Sequence, residues 1–339
     1  MKAIGLTRYL PINDPDSLQD LELPKPTAAG HDLLVRIHAI AVNPIDTKVR
    51  KPKDIVEATP RILGWDAAGE VAAVGPDCSL FKPGDRVYYS GDVTRQGCNA
   101  EYQLVDERIV GHMPRSLHYE QAAALPLTSV TAWESLFDRL GIITDLAHNQ
   151  GRSILIIGAA GGVGSIAIQL AKQVAGLTVV ATASRPSTVT WVEGLGADHV
   201  VDHSQPLVAQ MASMGLPQVD YIFCCSHTDA YFESMVTLIK PQGRICAIVD
   251  AMQPLNMTLL KPKSAGFVWE SMFTRSMFKT PDMIAQHHIL ERVAALIDDR
   301  TLQTTLNEVI SPINAANLRA VHAKLESGST IGKVVLSGW

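Results

Sequence analysis

Apolar positions in the first part of the chain come in short runs. "DLLVRIHAIAV", "GEVAAVG" and "DRVYYS" are continuous or alternating, and "LPKPTAAG" and "FKPGD" break them. Runs of this length between Pro and Gly punctuation predict strands and turns, so residues 1 to about 110 are expected to be all-β. A helical stretch follows near "YEQAAALPLTSVTAWESLFDRL", with Pro126 and the segment Thr128-Ser129-Val130-Thr131 read as interruptions.

The rhythm then changes. "RSILIIGA" reads as a strand, "VGSIAIQLAKQVA" as a helix, "LTVVATAS" as a strand and "STVTWVEGLGA" as a helix ending in glycine. "HVVDH", "VDYIFCC", "AYFESMVTLIK" and "GRICAIV" continue the alternation, which specifies βαβ units and a parallel sheet. "KSAGFVWES" (263–271) is expected to add an edge strand to that sheet. Near the end, "DMIAQHHILERVAALIDD" is an amphipathic helix with Ile284, Leu290, Val293, Ala294 and Ile297 on one face. His287 and His288 are adjacent on it, so their side chains diverge and both are read as surface residues. "IGKVVLS" closes the chain as a strand.

Composition narrows the class. With 339 residues the chain has room for two domains, and 47% hydrophobic with 19% charged residues suits a globular enzyme. The net charge of −5 is spread among both signs, and no basic run offers a nucleic-acid surface. No apolar stretch approaches the ~20 residues that span a bilayer. "MKAIGLTRYLPI" lacks the apolar core and cleavage site of a leader, so a cytoplasmic location is expected. Cys78, Cys98, Cys224, Cys225 and Cys246 are odd in number and lack CxxC spacing, against both a disulfide framework and a structural zinc site.

The densest chemical signal is "ILIIGAAGGVGSIAIQLAK" (154–172), a buried strand running through a glycine turn into a helix. Gly158 makes the turn, Gly161 or Gly162 lets backbone amides approach a pyrophosphate, and Gly164 lets helix and sheet pack closely. Ala160 and Val163 complete the turn, and its GxxGGxG spacing departs from GxGxxG. A dinucleotide is the reading; the alternatives are an empty turn or another nucleotide-like ligand. The next strand ends in Ala183-Ser184-Arg185, with no acid before Glu193 to accept from a ribose 2′-hydroxyl. Ser184 can donate to a 2′-phosphate and Arg185 can grip it, so NADPH is expected; the other reading of Arg185 is a loop residue stacked on adenine.

A β-rich half, a glycine turn near residue 160 and a returning helix and strand resemble the medium-chain dehydrogenase/reductase superfamily. Within it the chain resembles the quinone oxidoreductases and the zinc-type alcohol dehydrogenase-like members. "AVNPIDTKVR", "LGWDAAGEVAAVG", "FKPGDRV", "LPLTSVTAW", "GAAGGVGSIAIQLAK" and "GKVVL" carry the likeness over essentially the whole chain. It implies an α/β fold: a GroES-like β-rich catalytic domain over 1–125, a doubly wound Rossmann domain over 126–270, and a return to the first over 271–339.

Metal-using members bind catalytic zinc through positions that align here with Asn43, Trp65 and Leu127. An indole and a leucine cannot ligate Zn²⁺, and a lone amide is a poor substitute. Trp65 is therefore expected to line an apolar substrate pocket from a vacated ligand position, or simply to pack in the core. The resemblance also implies that Asn43, Asp46 and Lys48 face the nicotinamide. Lys48 either donates to a developing oxyanion or is a solvated rim residue; Asp46 either forms the turn or holds Lys48. Ser129 and Thr131 are implied near the nicotinamide, Ser226, His227 and Thr228 beside its ribose, and Lys333 on the cofactor. Met272 and Phe273 either wall the substrate entrance or belong to the core.

The expected function is NADPH-dependent reduction of quinones or α,β-unsaturated carbonyls without a metal. A zinc-type alcohol dehydrogenase or carbonyl reductase is the alternative, and an NADPH-binding sensor without turnover is the alternative of another class. A homodimer is expected, because the family often pairs at the sheet edge near 263–271.

Overall fold

The alternating run expected near residues 32–41 becomes the strand against which three others pair. This holds in a computed structural model that describes residues 1–339. In chain order the first elements are β1 (Lys2–Tyr9), β2 (Gln19–Glu22), β3 (Asp32–Ala41), α1 (Pro44–Arg50), β4 (Lys53–Ile62), β5 (Ala67–Val74), β6 (Arg86–Tyr89), β7 (Tyr102–Asp106), β8 (Val110–His112), α2 (Tyr119–Ala123) and α3 (Pro126–Trp133). An alternating series follows: β9 (Ser153–Ile157), α4 (Gly162–Gln169), β10 (Thr178–Thr182), α5 (Pro186–Gly194), β11 (His199–Val201), α6 (Leu207–Ser213), β12 (Val219–Cys224), α7 (Thr228–Leu238), β13 (Ile239–Ala247) and β14 (Gly266–Trp269). The chain ends with α8 (Thr274–Phe278), α9 (Ala285–Asp298), β15 (Leu306–Ile310), α10 (Ala315–Glu326) and β16 (Lys333–Ser337).

Two units result, Met1–Val130 with Phe273–Trp339, and Thr131–Met272. The first holds a seven-stranded sheet in the order β15-β16-β3-β5-β6-β8, with β7 also on β3, and a three-stranded sheet β2-β1-β4. Leu33, Val35, Ile37, Ala39 and Ile40 of β3 are buried, because strands pair along both of its edges and the sheet is covered. The second unit is a six-stranded parallel sheet in the order β11-β10-β9-β12-β13-β14. Numbered within the unit this is 3-2-1-4-5-6, the dinucleotide-binding order. Its core includes Leu155, Ile157, Val180, Ile222, Cys224 and Ile245, so Cys224 serves as a small hydrophobe. Residues 266–269 form the expected edge strand beside β13. No helix is long and apolar enough to cross a membrane.

Three local expectations need correction. The first 110 residues are not wholly β: α1 interrupts them, because Pro44 suits a first helical turn and Asp46 caps it. Pro126 starts α3 rather than breaking a helix, since the missing N–H is one that a first turn does not use. The β-branched residues after it are carried along, with Thr128 Oγ1 donating to Leu125 O at 3.0 Å. His287 is half-buried rather than a plain surface residue: its Nδ1 lies 2.7 Å from Val110 O and its ring meets Phe81 edge-on. His288 is exposed.

Candidate functional site

Asn43 is the residue before α1, a position where its side chain would ordinarily cap the helix. Here the cap comes from Asp46, whose Oδ2 accepts from the Asn43 amide at 2.5 Å. The Asn43 side chain is thereby released, and it turns inward. Its Nδ2 donates to Asp66 Oδ2 at 2.9 Å and, at the longer distance of 3.5 Å, to Ala41 O; its Oδ1 accepts from the Lys333 ammonium. The cation fixes which way the amide faces, because only oxygen can accept from it.

Lys333 enters from the start of β16 and is 3% exposed. Its Nζ donates to Val42 O at 3.1 Å, to Asn43 Oδ1 and to Asp66 Oδ2 at 2.9 Å, so all three ammonium protons have acceptors. Asp66 is fully buried, and its other oxygen accepts from the Leu127 amide at 2.8 Å. One carboxylate thus ties together the end of β3, the turn before β5, α3 and β16. Burial pushes the carboxyls of Asp46 and Asp66 up, Asp46 to about 7, while Lys333 and the donated hydrogen bonds pull in the other direction. Burial is the largest cause for both carboxyls, and for Asp46 the neighbouring Asp66 carboxylate adds to it.

Trp65 precedes Asp66 and is fully buried. Gly64 makes this possible: at φ +98° a Cβ would lie 2.3 Å from Asn99 Oδ1. The indole Nε1 donates to Asp92 O at 3.1 Å, and Phe273 packs against the ring edge to face with centroids 6.4 Å apart. Phe273 and Met272 are both buried, the latter closing the second unit. Lys48 is exposed on α1, two residues from Asp46, and Asp46 caps that helix.

Zinc does not fit the three aligned positions. Asn43 offers an oxygen already turned to an ammonium, Trp65 a ring whose one polar atom is a donor, and Leu127 nothing. A divalent ion among them would also meet the buried positive charge of Lys333. No group of three His, Cys, Asp or Glu side chains in the chain is arranged to hold a metal. A cavity of about 360 Å³ elsewhere in this unit, lined by Asp32, Arg95, Asp106 and Arg108, shares no lining residue with the cluster.

The second unit carries the glycine turn. Gly158 stands at φ +77°, its amide donating to Thr182 Oγ1 at 3.0 Å, and a Cβ there would come within 2.9 Å of Ser226 Oγ. This is where the ends of β9 and β12 diverge, the switch point of the strand order. At Gly164 a Cβ would lie 2.5 Å from Ala159 O, so helix and turn are in close contact. Ala160, Gly161, Gly162 and Val163 remain partly exposed, and the first amides of α4 have no partner inside the helix. A pyrophosphate fits such a cradle. Ser184 and Arg185 follow β10, half-buried and exposed respectively. His227 is exposed in a left-handed conformation, while Thr228 is buried with its hydroxyl on Val249 O. Ser129 is fully buried with an unpartnered Oγ; Thr131 is buried at the start of the second unit.

Two residues that contact the expected ones were given no role from sequence: Asp66 was legible only as a carboxylate in an apolar run, and His203, whose Nε2 lies 3.1 Å from Ser184 Oγ, as part of a polar turn. Lys333 was noticed but expected on a cofactor, and its ammonium is instead surrounded by protein acceptors of its own unit.

Known proteins agree with this architecture. Residues 29–115 match the alcohol dehydrogenase GroES-like domain family and residues 195–336 the zinc-binding dehydrogenase family. A zinc-type alcohol dehydrogenase-like protein of Staphylococcus aureus strain MSSA476 is 45% identical over 337 residues, 99% of this chain and 100% of the relative. The crystal structure of a candidate zinc-dependent alcohol dehydrogenase of Rhizobium etli CFN 42 is similar with TM-score 0.95 and 51% identity, covering 100% of this chain and 98% of that one. Escherichia coli quinone oxidoreductase complexed with NADPH is similar in fold, with TM-score 0.82 and 22% identity over 99% of this chain and 100% of that one.

Proposed function

The chain belongs to the medium-chain dehydrogenase/reductase superfamily, among its zinc-type alcohol dehydrogenase-like proteins, and from that premise we propose that it reduces quinones or α,β-unsaturated carbonyls with NADPH and without a catalytic metal. The observation that carries this reading is the Lys333–Asp66 pair, which leaves Asn43, Trp65 and Leu127 with no donor set for zinc.

NADPH supplies the hydride when bound. In the unit Thr131–Met272, the turn from Gly158 to Gly164 is assigned to the pyrophosphate, Ser184 and Arg185 to the 2′-phosphate, and Ser226, His227 and Thr228 to the ribose region. Ser129 and Thr131, two residues apart on α3, are assigned to the nicotinamide.

In the β-rich unit no Lewis acid polarises a carbonyl, so charge developing on the substrate falls to hydrogen-bond donors. Lys48 is exposed and is assigned that role. Asn43 keeps one N–H firmly on Asp66, leaving the proton that reaches Ala41 O across 3.5 Å as its weaker commitment. A single such donor contributes about 3–4 kcal/mol to a transition state. That is enough for charge spread over a conjugated acceptor and too little for a localised alkoxide. Trp65 and Phe273 supply apolar backing suited to a flat conjugated substrate.

The exposed strand β14 is assigned to homodimer pairing, and five free cysteines suit a reducing cytoplasm. The test is steady-state cofactor oxidation across quinones, enals, enones and saturated ketones, with NADPH and NADH side by side. Conjugated acceptors with NADPH should turn over fastest. Faster oxidation of simple alcohols than reduction of enones would overturn the reading.

A further inference from the structure

β10 and β11 run parallel in a register that sets Thr182 beside Val201. Two residues beyond each stand Ser184 and His203, and their side chains meet, Ser184 Oγ lying 3.1 Å from His203 Nε2. The ring is exposed and the serine half-buried, so the pair opens to solvent at the corner assigned above to the 2′-phosphate. In the chain Arg185 adjoins Ser184 and Asp202 adjoins His203. Asp202 is turned back into its own loop, its Oδ1 accepting from the Ser204 amide at 2.8 Å and hydroxyl at 2.7 Å.

We infer that His203 is a positioning residue for the 2′-phosphate: its ring sets the direction of the Ser184 hydroxyl proton, and the preference for NADPH over NADH follows its protonation. The inference rests on the NADPH reading. A serine hydroxyl has one proton and two lone pairs. Where Nε2 is bare, the hydroxyl spends its proton on the ring and shows only lone pairs to a ligand, which repels phosphate. Where Nε2 carries a proton, the ring donates, and the hydroxyl proton is released toward a phosphate oxygen. Neutral imidazole allows both arrangements. A protonated ring, with both nitrogens donors, allows only the second and adds positive charge. The Arg185 guanidinium sets the baseline. A ribose 2′-hydroxyl both donates and accepts, so NADH is indifferent to the choice.

Dissociation constants for NADPH and NADH, measured by calorimetry at pH 6 and pH 8 and constant ionic strength, test this with the full-length protein. The phosphate itself titrates near pH 6; that contribution is common to all variants and cancels when wild type is divided by His203→Gln. After that division, wild type should favour NADPH roughly three- to tenfold more at pH 6 than at pH 8, the worth of one hydrogen bond. Ser184→Ala should remove the hydrogen-bond share of that pH dependence and leave only what the charge of a protonated ring supplies, and the double variant should lose no more than His203→Gln alone. If Arg185→Ala weakens NADPH selectively while His203→Gln keeps the wild-type pH profile, the inference falls and the cofactor reading stands. If Arg185→Ala weakens NADPH and NADH alike, the cofactor reading falls and takes the inference with it.

Discussion

Lys333 Nζ stands 2.9 Å from Asp66 Oδ2, and neither side chain is accessible to water beyond a few per cent. A buried pair of this kind gives little net stability against an apolar pair, but removing one partner strands the other's charge. Lys333→Met and Asp66→Asn are each expected to cost about 3–5 kcal/mol. The double substitution should cost clearly less than their sum. Urea unfolding of the four proteins measures the coupling, and strict additivity would mean that the pair does not act as one.

Metal content follows from the same pair. Purified protein should carry well under one zinc per chain, and a chelator should change neither activity nor melting temperature. Stoichiometric zinc lost together with activity would refute the metal-free reading.

Asp46 makes stability depend on pH. Its carboxyl is raised to about 7 in the folded chain, chiefly by burial, from an ordinary value of 3.8. Between those values the folded state binds the proton more tightly than the unfolded one. The contribution is complete below about pH 4 and is lost as pH rises through 7. Asp46→Asn should therefore flatten the fall in unfolding free energy between pH 5 and pH 8, read by denaturant titration at each pH.

His322 works in the opposite sense. Burial, with the Arg50 guanidinium beside it, lowers its imidazole to about 3, and Arg50 Nε donates to its Nδ1 at 3.4 Å. Below the ordinary value of 6.5 the unfolded chain takes up a proton that the folded chain refuses. Stability is thus lost as pH falls from about 6.5 toward 3. Arg50 also donates to Leu10 O at 2.6 Å and pairs with Glu326, anchoring the end of α1. His322→Asn should lessen the acid sensitivity between pH 6.5 and pH 4 in the same titration, after subtraction of the Asp46 contribution.

Association is expected at β14, the edge of the parallel sheet, where Trp269 is 46% exposed. Exposed strand edges in such sheets are ordinarily paired or covered. Sedimentation at micromolar concentration should show a dimer in the wild type and a shift toward monomer in Trp269→Lys. A monomer in the wild type would count against this pairing.

Much of the architecture could be read from neighbours in the chain. The 154–172 segment carried strand, turn and helix together because glycine freedom, apolar runs and helical periodicity act over a few residues. The edge strand at 266–269 was legible for the same reason, as a β-rich run after a completed βα series. Reading failed where local rules have two outcomes. Pro126 can end a helix or begin one, and only the packing of the following turns chose the second.

The cluster around Asp66 was beyond local reading altogether. The sequence by itself placed a carboxylate beside a misplaced indole, and a lysine before the last apolar strand, and through the family resemblance it set Asn, Trp and Leu at the positions of the zinc ligands. It could not join the two, because 267 residues separate Asp66 from Lys333. The pairing of β16 with β3 brings Lys333 to Val42 and Asn43, and the turn at Gly64 delivers Asp66 to the same point. His203 and Ser184 meet only through the parallel register of β10 and β11. Periodicity determines which face of an element is buried; which charges are buried together, and must therefore neutralise one another, is decided by how the elements pack.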